Sequence, residues 1–282
     1  MPHLDAAHYL IVALTGLIAG TLGSMLGVGG SVVMIPAMVA LFGQAIKPNL
    51  NQHVYQAAAM IANIVVSVPA AIKYYKAGAT HTLAVKRMLP FALGAVIAGV
   101  WLSDLFAGTR GPAYLGGVLA MILVLVVVMQ VRRLSSEAER RELAAEPALS
   151  RPRCGAVGGV MGLVAGLTGV GGGAIAVPLQ QSALKLPLKT CIANSSTIIC
   201  VSATIGAIYK NVTLVTRHGY DWRVSLMLAA LLAPTCWIGG RLGPALTQRL
   251  PVRWVRVAFI LLLIAAIARL VMPVVEMKGT GS

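Results

Sequence analysis

The sequence predicts an all-α, polytopic integral membrane protein of two homologous halves. It has about eight membrane segments, and each half opens on a glycine-broken helix or hairpin. Three observations carry this reading. Apolar stretches long enough to cross a bilayer recur from end to end. A glycine cluster followed by a proline occurs twice at a fixed offset. One long polar run divides the chain near its middle.

The apolar stretches are Tyr9–Leu26, Val54–Ile72, Met88–Leu105, Pro112–Val131, Ile192–Tyr209, Val224–Leu242 and Val255–Met272. A helix needs about 20 apolar residues to cross a hydrocarbon core about 30 Å thick. Only helices or closed barrels satisfy their backbone in lipid, and the short alternating strands of a barrel are absent. Charged residues make up 11% of the chain, against about 25% in soluble domains. The N-terminus has no basic n-region and no small-residue cleavage site, so no signal peptide is expected.

The polar run, Val131–Arg153, holds Arg132, Arg133, Arg140, Arg141, Arg151 and Arg153. A short, arginine-rich segment is expected on the cytoplasmic side of the cell (inner or plasma) membrane. It sets three divisions: a first transmembrane repeat over 1–131, a basic linker over 132–153, and a second transmembrane repeat over 154–282.

The repeats align at an offset of 142. "GLIAGTLGSMLGVGGSVVMIP" from Gly16 meets "GGVMGLVAGLTGVGGGAIAVP" from Gly158, with seven identities in 21 positions. Tyr9 to Phe42 as one helix would be about 51 Å long, too long for one span and too short for two. A break at the glycines resolves this, and the proline at 36 or 178 bends the second piece. Before each break, Gly16, Gly20 and Ser24, and Gly158, Gly162 and Gly166, keep the small-xxx-small spacing of close helix packing. After each break a helix restarts, and its first N–H groups lack intrahelical partners. Irregular backbone at membrane depth is tolerated where it is buried or lines a wet cavity. A helix N-terminus there suits an anion; close packing is the alternative use of the glycines. With single crossings the halves are parallel and Lys/Arg count 14 inside to 7 outside. With hairpins the halves are inverted and the count is 15 to 6.

Charge and chemistry narrow the function. The balance is +15, from 23 Lys and Arg against 8 Asp and Glu. The positive-inside rule accounts for most of it, and anion collection is the functional alternative. No carboxylate lies deep in a span, where a proton or sodium relay places one. There is no HExxH, no GxSxG and no buried acid pair, so an intramembrane enzyme is disfavoured. Cys154, Cys191, Cys200 and Cys236 show no CxxC pairing and read as packing residues. No metal, cofactor or nucleic-acid site is expected. "GVGGGA" follows a membrane helix rather than a strand, so it is not a dinucleotide-binding loop.

The candidate substrate-binding residues are Ser24, Gly27, Gly29, Gly30 and Ser31 at the first break, and Thr168, Gly169, Gly171, Gly172 and Gly173 at the second. Asn194, Ser195, Ser196 and Thr197 are four consecutive polar residues in an apolar helix, where they need partners. Asn63 and Gln56 lie on one face, seven residues apart, in the first-half counterpart helix. Gln180 follows the second break closely, beside Gln181. Interhelical hydrogen bonding is the alternative role for all of these. Arg241 is expected to snorkel, and Lys73, Lys76 and Lys210 to end spans and set topology. The second-half helix is the more polar, so the pocket is expected to be asymmetric.

The paired glycine-break motifs, the basic central linker and the length resemble the sulfite exporter TauE/SafE family of membrane permeases over nearly the whole chain. The resemblance implies secondary transport of sulfur-containing anions such as sulfite, sulfoacetate or other organosulfonates. Its expected partners are a small anionic substrate and the lipid bilayer. A coupling ion (proton or sodium), a homodimer and the direction of transport are left open. An anion channel, an uptake permease for small carboxylates, and an assembly factor are the alternatives.

Overall fold

The computed structural model describes residues 6–42, 52–105, 121, 124–134, 146–168, 172–216 and 221–279. Among them the chain is all-helical. The helices are α1 (Ala6–Leu26), α2 (Ser31–Phe42), α3 (Gln52–Lys76), α4 (Thr82–Leu105), α5 (Arg151–Thr168), α6 (Gly173–Leu179), α7 (Leu188–Thr216), α8 (Trp222–Arg249) and α9 (Val252–Gly279). A further helical run covers 124–132. A π-helical turn, Gln180–Leu184, continues α6 after Pro178, which removes one N–H from the helical ladder.

Four of these helices are long and apolar enough to cross a membrane: Val54–Lys76, Thr82–Ser103, Leu188–Thr216 and Trp222–Arg249. Leu10–Leu26 is a shorter apolar helix. The helices run further than the apolar stretches alone predict, because polar and basic residues extend both ends of the cores. Asp221 caps α8 by accepting the Arg223 N–H at 2.9 Å. Most of the expected fourth stretch, Pro112–Val131, lies outside the described residues.

Two seams of small residues hold the bundle together. On α1, Gly16 lies against Leu232 and Thr235 of α8. Gly20 lies against Cys236, where a Cβ would sit 2.8 Å from the carbonyl oxygen, and Ser24 lies against Gly243. On α5, Cβ atoms at Gly158, Gly162 and Gly166 would run into the carbonyl oxygens of Met88, Ala92 and Val96 of α4. Without a hydrophobic drive between helices in lipid, such close approach is the main source of association.

These contacts fix helix direction. Residue numbers rise together along α1 and α8, and along α5 and α4. They also rise together on α3 and α8, where Gly240 faces Val66 and Tyr74 reaches Thr247. On α3 and α7 they run oppositely: Met60 faces Gly206, and Ser67 bonds Cys200. Hence α1, α3 and α8 point one way, and α4, α5 and α7 the other.

The direction of α3 shows what each glycine break does. Since α1 and α3 are parallel, α2 must return to the side from which α1 started. Gly30 accordingly lies back against Ala19, and Gly172 lies back against Met161. Each contact is eleven residues earlier in the chain (30 against 19, 172 against 161). Both breaks are therefore hairpins, opening toward opposite ends of the bundle. The start of α6 meets the first tip: a Cβ on Gly173 would run into the Gly27 carbonyl oxygen and Val28.

One end of the bundle is strongly basic. It gathers Lys73, Lys76, Lys86, Arg87, Arg132, Arg133, Arg151, Arg153, Lys185, Lys189, Arg249 and Arg253. Contacts tie this end together: Lys189 Nζ donates to the Gln248 carbonyl at 3.1 Å, Arg133 to Ser182 Oγ at 3.2 Å, and Arg87 to the Leu149 carbonyl. Toward the opposite end, among the described residues, lie Lys210, Arg223 and Lys278.

The seams make a direct prediction. Gly162→Ala should destabilise the protein by about 1–3 kcal/mol through overpacking. Gly159→Ala, on the same helix with nothing within 4 Å of the new Cβ, should be neutral or stabilising by up to ~1 kcal/mol. Thermal melts in detergent check this, and equal melting temperatures would remove the seam argument.

Candidate functional site

The first hairpin tip turns on two glycines in the left-handed region, Gly27 at φ 65° and Gly29 at φ 79°. That region is costly for residues with a side chain. The Val28 and Gly29 N–H groups both donate to the Gly23 carbonyl, at 3.0 and 3.2 Å. These two break donors are thus used to close the end of α1, not offered outward as the sequence reading expected. The N-terminus of α2 is met by Asn63. Its Oδ1 accepts the Ser31 N–H at 3.1 Å, and its Nδ2 donates to Ser31 Oγ at 3.0 Å. Asn63 is fully buried. A Cβ at Gly29 would lie 2.9 Å from Asn63 Oδ1, so the same asparagine also demands a glycine opposite it.

The second tip differs. Gly172 caps α6 in the left-handed region at φ 69°, with no side-chain hydrogen bond. Gly173 stands where the first half has Ser31, so there is no hydroxyl to hold an asparagine. Asn194 instead turns to Gln180. Its Nδ2 donates to Gln180 Oε1 at 3.1 Å, and its Oδ1 accepts the His81 N–H at 2.8 Å. Gln180 Nε2 donates to Ser195 Oγ at 3.1 Å and to the Cys191 carbonyl at 3.4 Å. Asn63 and Asn194 both close an Ile-Ala-Asn triplet, and each ties its hairpin to the helix that follows.

The structure therefore brings together Gly27, Gly172 and Gly173 at the centre, Asn63 with Gly29 and Ser31, and Asn194 and Ser195 with Gln180. Gly30 packs on Ala19 and Met34. Ser24 Oγ bonds the carbonyls of Gly20 at 2.7 Å and Gly239 at 3.2 Å. The hydroxyls of Thr168, Ser196 and Thr197 donate to carbonyls one turn back on their own helices. Gly169 and Gly171 lie outside the described residues.

Several buried polar groups were missed by sequence reasoning. Tyr74 Oη donates to Thr247 Oγ1 at 2.8 Å, and Thr247 donates to the Met25 carbonyl at 2.7 Å, covering the end of α1. Gln130 is fully buried, and its signal was visible: it is the one polar residue in "MILVLVVVMQV". Lys210, which the sequence places at the end of a span, is instead enclosed within α7 and 1% exposed. Arg256 is buried to the same degree, whereas Arg241 is exposed, as snorkelling requires.

Helix ends of both signs meet at the centre. Two restarted helices begin beside the ends of the helices that precede them, so positive and negative helix ends share one buried region. Among the described residues no carboxylate is buried there, and no group of three or more His, Cys, Asp or Glu is placed to hold a metal. The cysteines are free thiols, with Cys154, Cys191 and Cys236 buried and Cys200 half-buried. The central residues offer hydrogen bonds and dipoles rather than a nucleophile with its base.

Asn194→Ala should leave Gln180 and the His81 amide without their partner, at a cost of about 1–3 kcal/mol. Amide exchange at Ala79–His81 should accelerate, while exchange at Ser31 stays unchanged. Asn63→Ala should do the converse. Hydrogen-exchange mass spectrometry checks both; identical exchange maps would show that the asparagines do not tie down the hairpins.

The sequence also matches known proteins. It is 26% identical to the probable membrane transporter protein MamO of Paramagnetospirillum magneticum, over 90% of this chain and 45% of that protein. It is 26% identical to the probable membrane transporter protein YunE of Bacillus subtilis, over 86% of this chain and 89% of that one. The probable membrane transporter protein MJ0441 of Methanocaldococcus jannaschii is 23% identical over 88% of this chain and 89% of its own. The chain spans just under half the length of MamO and most of the other two. No solved structure matches it. The family model described as sulfite exporter TauE/SafE matches residues 12–270, nearly the whole described bundle, and the chain belongs to that family of membrane transporters.

Proposed function

We propose that this protein is a secondary transporter of small anions, working by alternating access around the place where the two hairpins meet. The observation that carries this reading is the contact of Gly173 with Gly27 and Val28. It sets the start of α6 against the turn that closes α1, a few residues before α2 restarts at Ser31, in one buried region without a carboxylate among the described residues. Half-helices ending at mid-membrane are a recurrent way of binding anionic groups in transporters. The antiparallel run of α3 against α7, and of α1 against α5, supports inverted repeats over 1–131 and 154–282.

The family relationship supports sulfur-containing anions such as sulfite, sulfoacetate or other organosulfonates as substrates. The uncapped start of α6 supports a site weighted toward the second half, around Gly172, Gly173, Gln180, Asn194 and Ser195. The basic end supports an orientation with the linker in the cytoplasm and the hairpin of α5 and α6 opening toward it.

Thermal-shift measurements on the purified protein against sulfite, thiosulfate, sulfonates and small carboxylates test the substrate class, since a ligand of the folded state raises the melting point. At a ligand concentration of 100 times Kd the stabilisation is about 2.7 kcal/mol. A stabilising sulfur anion is the expected outcome; stabilisation by carboxylates alone would reassign the substrate. Orientation is tested by cysteines at two exposed positions, Thr216 and Gln248. An impermeant thiol reagent added to intact cells should label Thr216→Cys and spare Gln248→Cys. The reverse pattern would invert the protein in the membrane.

A further inference from the structure

The turn between α3 and α4, residues 77–81, joins two groups of helices that the glycine seams hold separately: α3 is sealed to α8, and α4 to α5. Movement of one group against the other passes through these residues. Three features mark the turn as a joint. Gly78 stands in the left-handed region at φ 68°, with open space where a Cβ would lie, so no neighbour holds it in place. The His81 N–H donates to Oδ1 of Asn194 at 2.8 Å, and the same asparagine donates through Nδ2 to Gln180. The Thr80 Oγ1 is buried and has no hydrogen-bond partner among the described residues. Water would satisfy that hydroxyl, so closing the turn over it is unfavourable. One bond from α7 therefore holds the turn down, and one orphaned hydroxyl works against it.

We propose that the 77–81 turn is a latched hinge between the two helix groups, with Asn194 as the latch and the Thr80 hydroxyl keeping the latch weak enough to open. Opening hydrates Thr80 and frees Asn194 Oδ1 together. Hinge movement and the arrangement around Gln180 are then linked through one side chain. A segment that opens locally at small cost is the kind from which moving elements are drawn. The part of the hinge in transport rests on the anion-transport reading above; the latch itself needs no ligand.

Thr80→Val keeps the shape of the side chain and removes the hydroxyl. Hydrogen-exchange mass spectrometry on the purified full chain reads opening of the turn at Ala79–His81. Exchange there should slow about tenfold in Thr80→Val, because the closed turn no longer hides an unmade bond. Thr80→Ser keeps the hydroxyl and should stay within about twofold of the wild type. Exchange at Ser31, in the cap of the other hairpin, should not change in either variant. Unchanged or faster exchange at Ala79–His81 in Thr80→Val overturns the proposal. Equal slowing at Ser31 also overturns it, since that is general stabilisation. So does a Thr80→Val chain that fails to fold, because a hydroxyl without a partner is dispensable to the folded state. Flux into proteoliposomes, with sulfite as the probe, separates the latch from transport. Local slowing of exchange with a lower sulfite flux in Thr80→Val upholds the hinge, and the same slowing with wild-type flux overturns its part in transport. Local slowing in a protein whose wild type carries no sulfite upholds the latch and counts against sulfite as the substrate.

Discussion

A helix that stops inside a membrane exposes backbone donors and acceptors where no water can meet them. Much of this structure covers those groups. Each hairpin ends one helix and begins another within a few residues, so each creates loose carbonyls and loose N–H groups at once. The protein meets these obligations inside the bundle. Gly23 takes two N–H groups of the first tip, Asn63 takes a third, and Thr247 covers the Met25 carbonyl. The glycines are required because the turn runs through the left-handed region and because neighbouring backbone stands where a Cβ would be.

The seams follow from the same constraint. A hairpin can be buried only if its neighbours approach to backbone contact, and the glycine rows on α1 and α5 allow that approach. The partner of each broken helix comes from the other half of the chain: α1 packs on α8, and α5 on α4. Neither half buries its hairpin alone. Contacts of this kind make the two halves one folding unit.

The two halves cap their hairpins differently. In the first, Ser31 and Asn63 exchange two hydrogen bonds and seal the restart of α2. In the second, a glycine replaces the serine, α6 begins without a side-chain cap, and Asn194 is engaged with Gln180 instead. One difference at equivalent positions, Ser31 against Gly173, separates a terminus with a side-chain cap from one without.

The sequence by itself determined what periodicity and composition can carry. Long apolar stretches announce spans, paired glycine clusters announce breaks, and Arg132 to Arg153 announce the basic end. It also marked most of the polar residues that meet at the breaks, since Asn63, Gln180, Asn194 and Ser195 stand out in apolar helices. It left open whether Tyr9 to Phe42 crosses once or returns, because both fit the same residues and nearly the same charge count. Only tertiary structure decided that, through α3 running parallel to α1. Direction is a relation between helices far apart in sequence, and no local pattern encodes it. The same holds for Lys210, which reads as a span end but is enclosed by its neighbours. It holds too for the asparagines, whose composition is plain in the chain but whose partners, Ser31 in one half and Gln180 with His81 in the other, are set by packing alone.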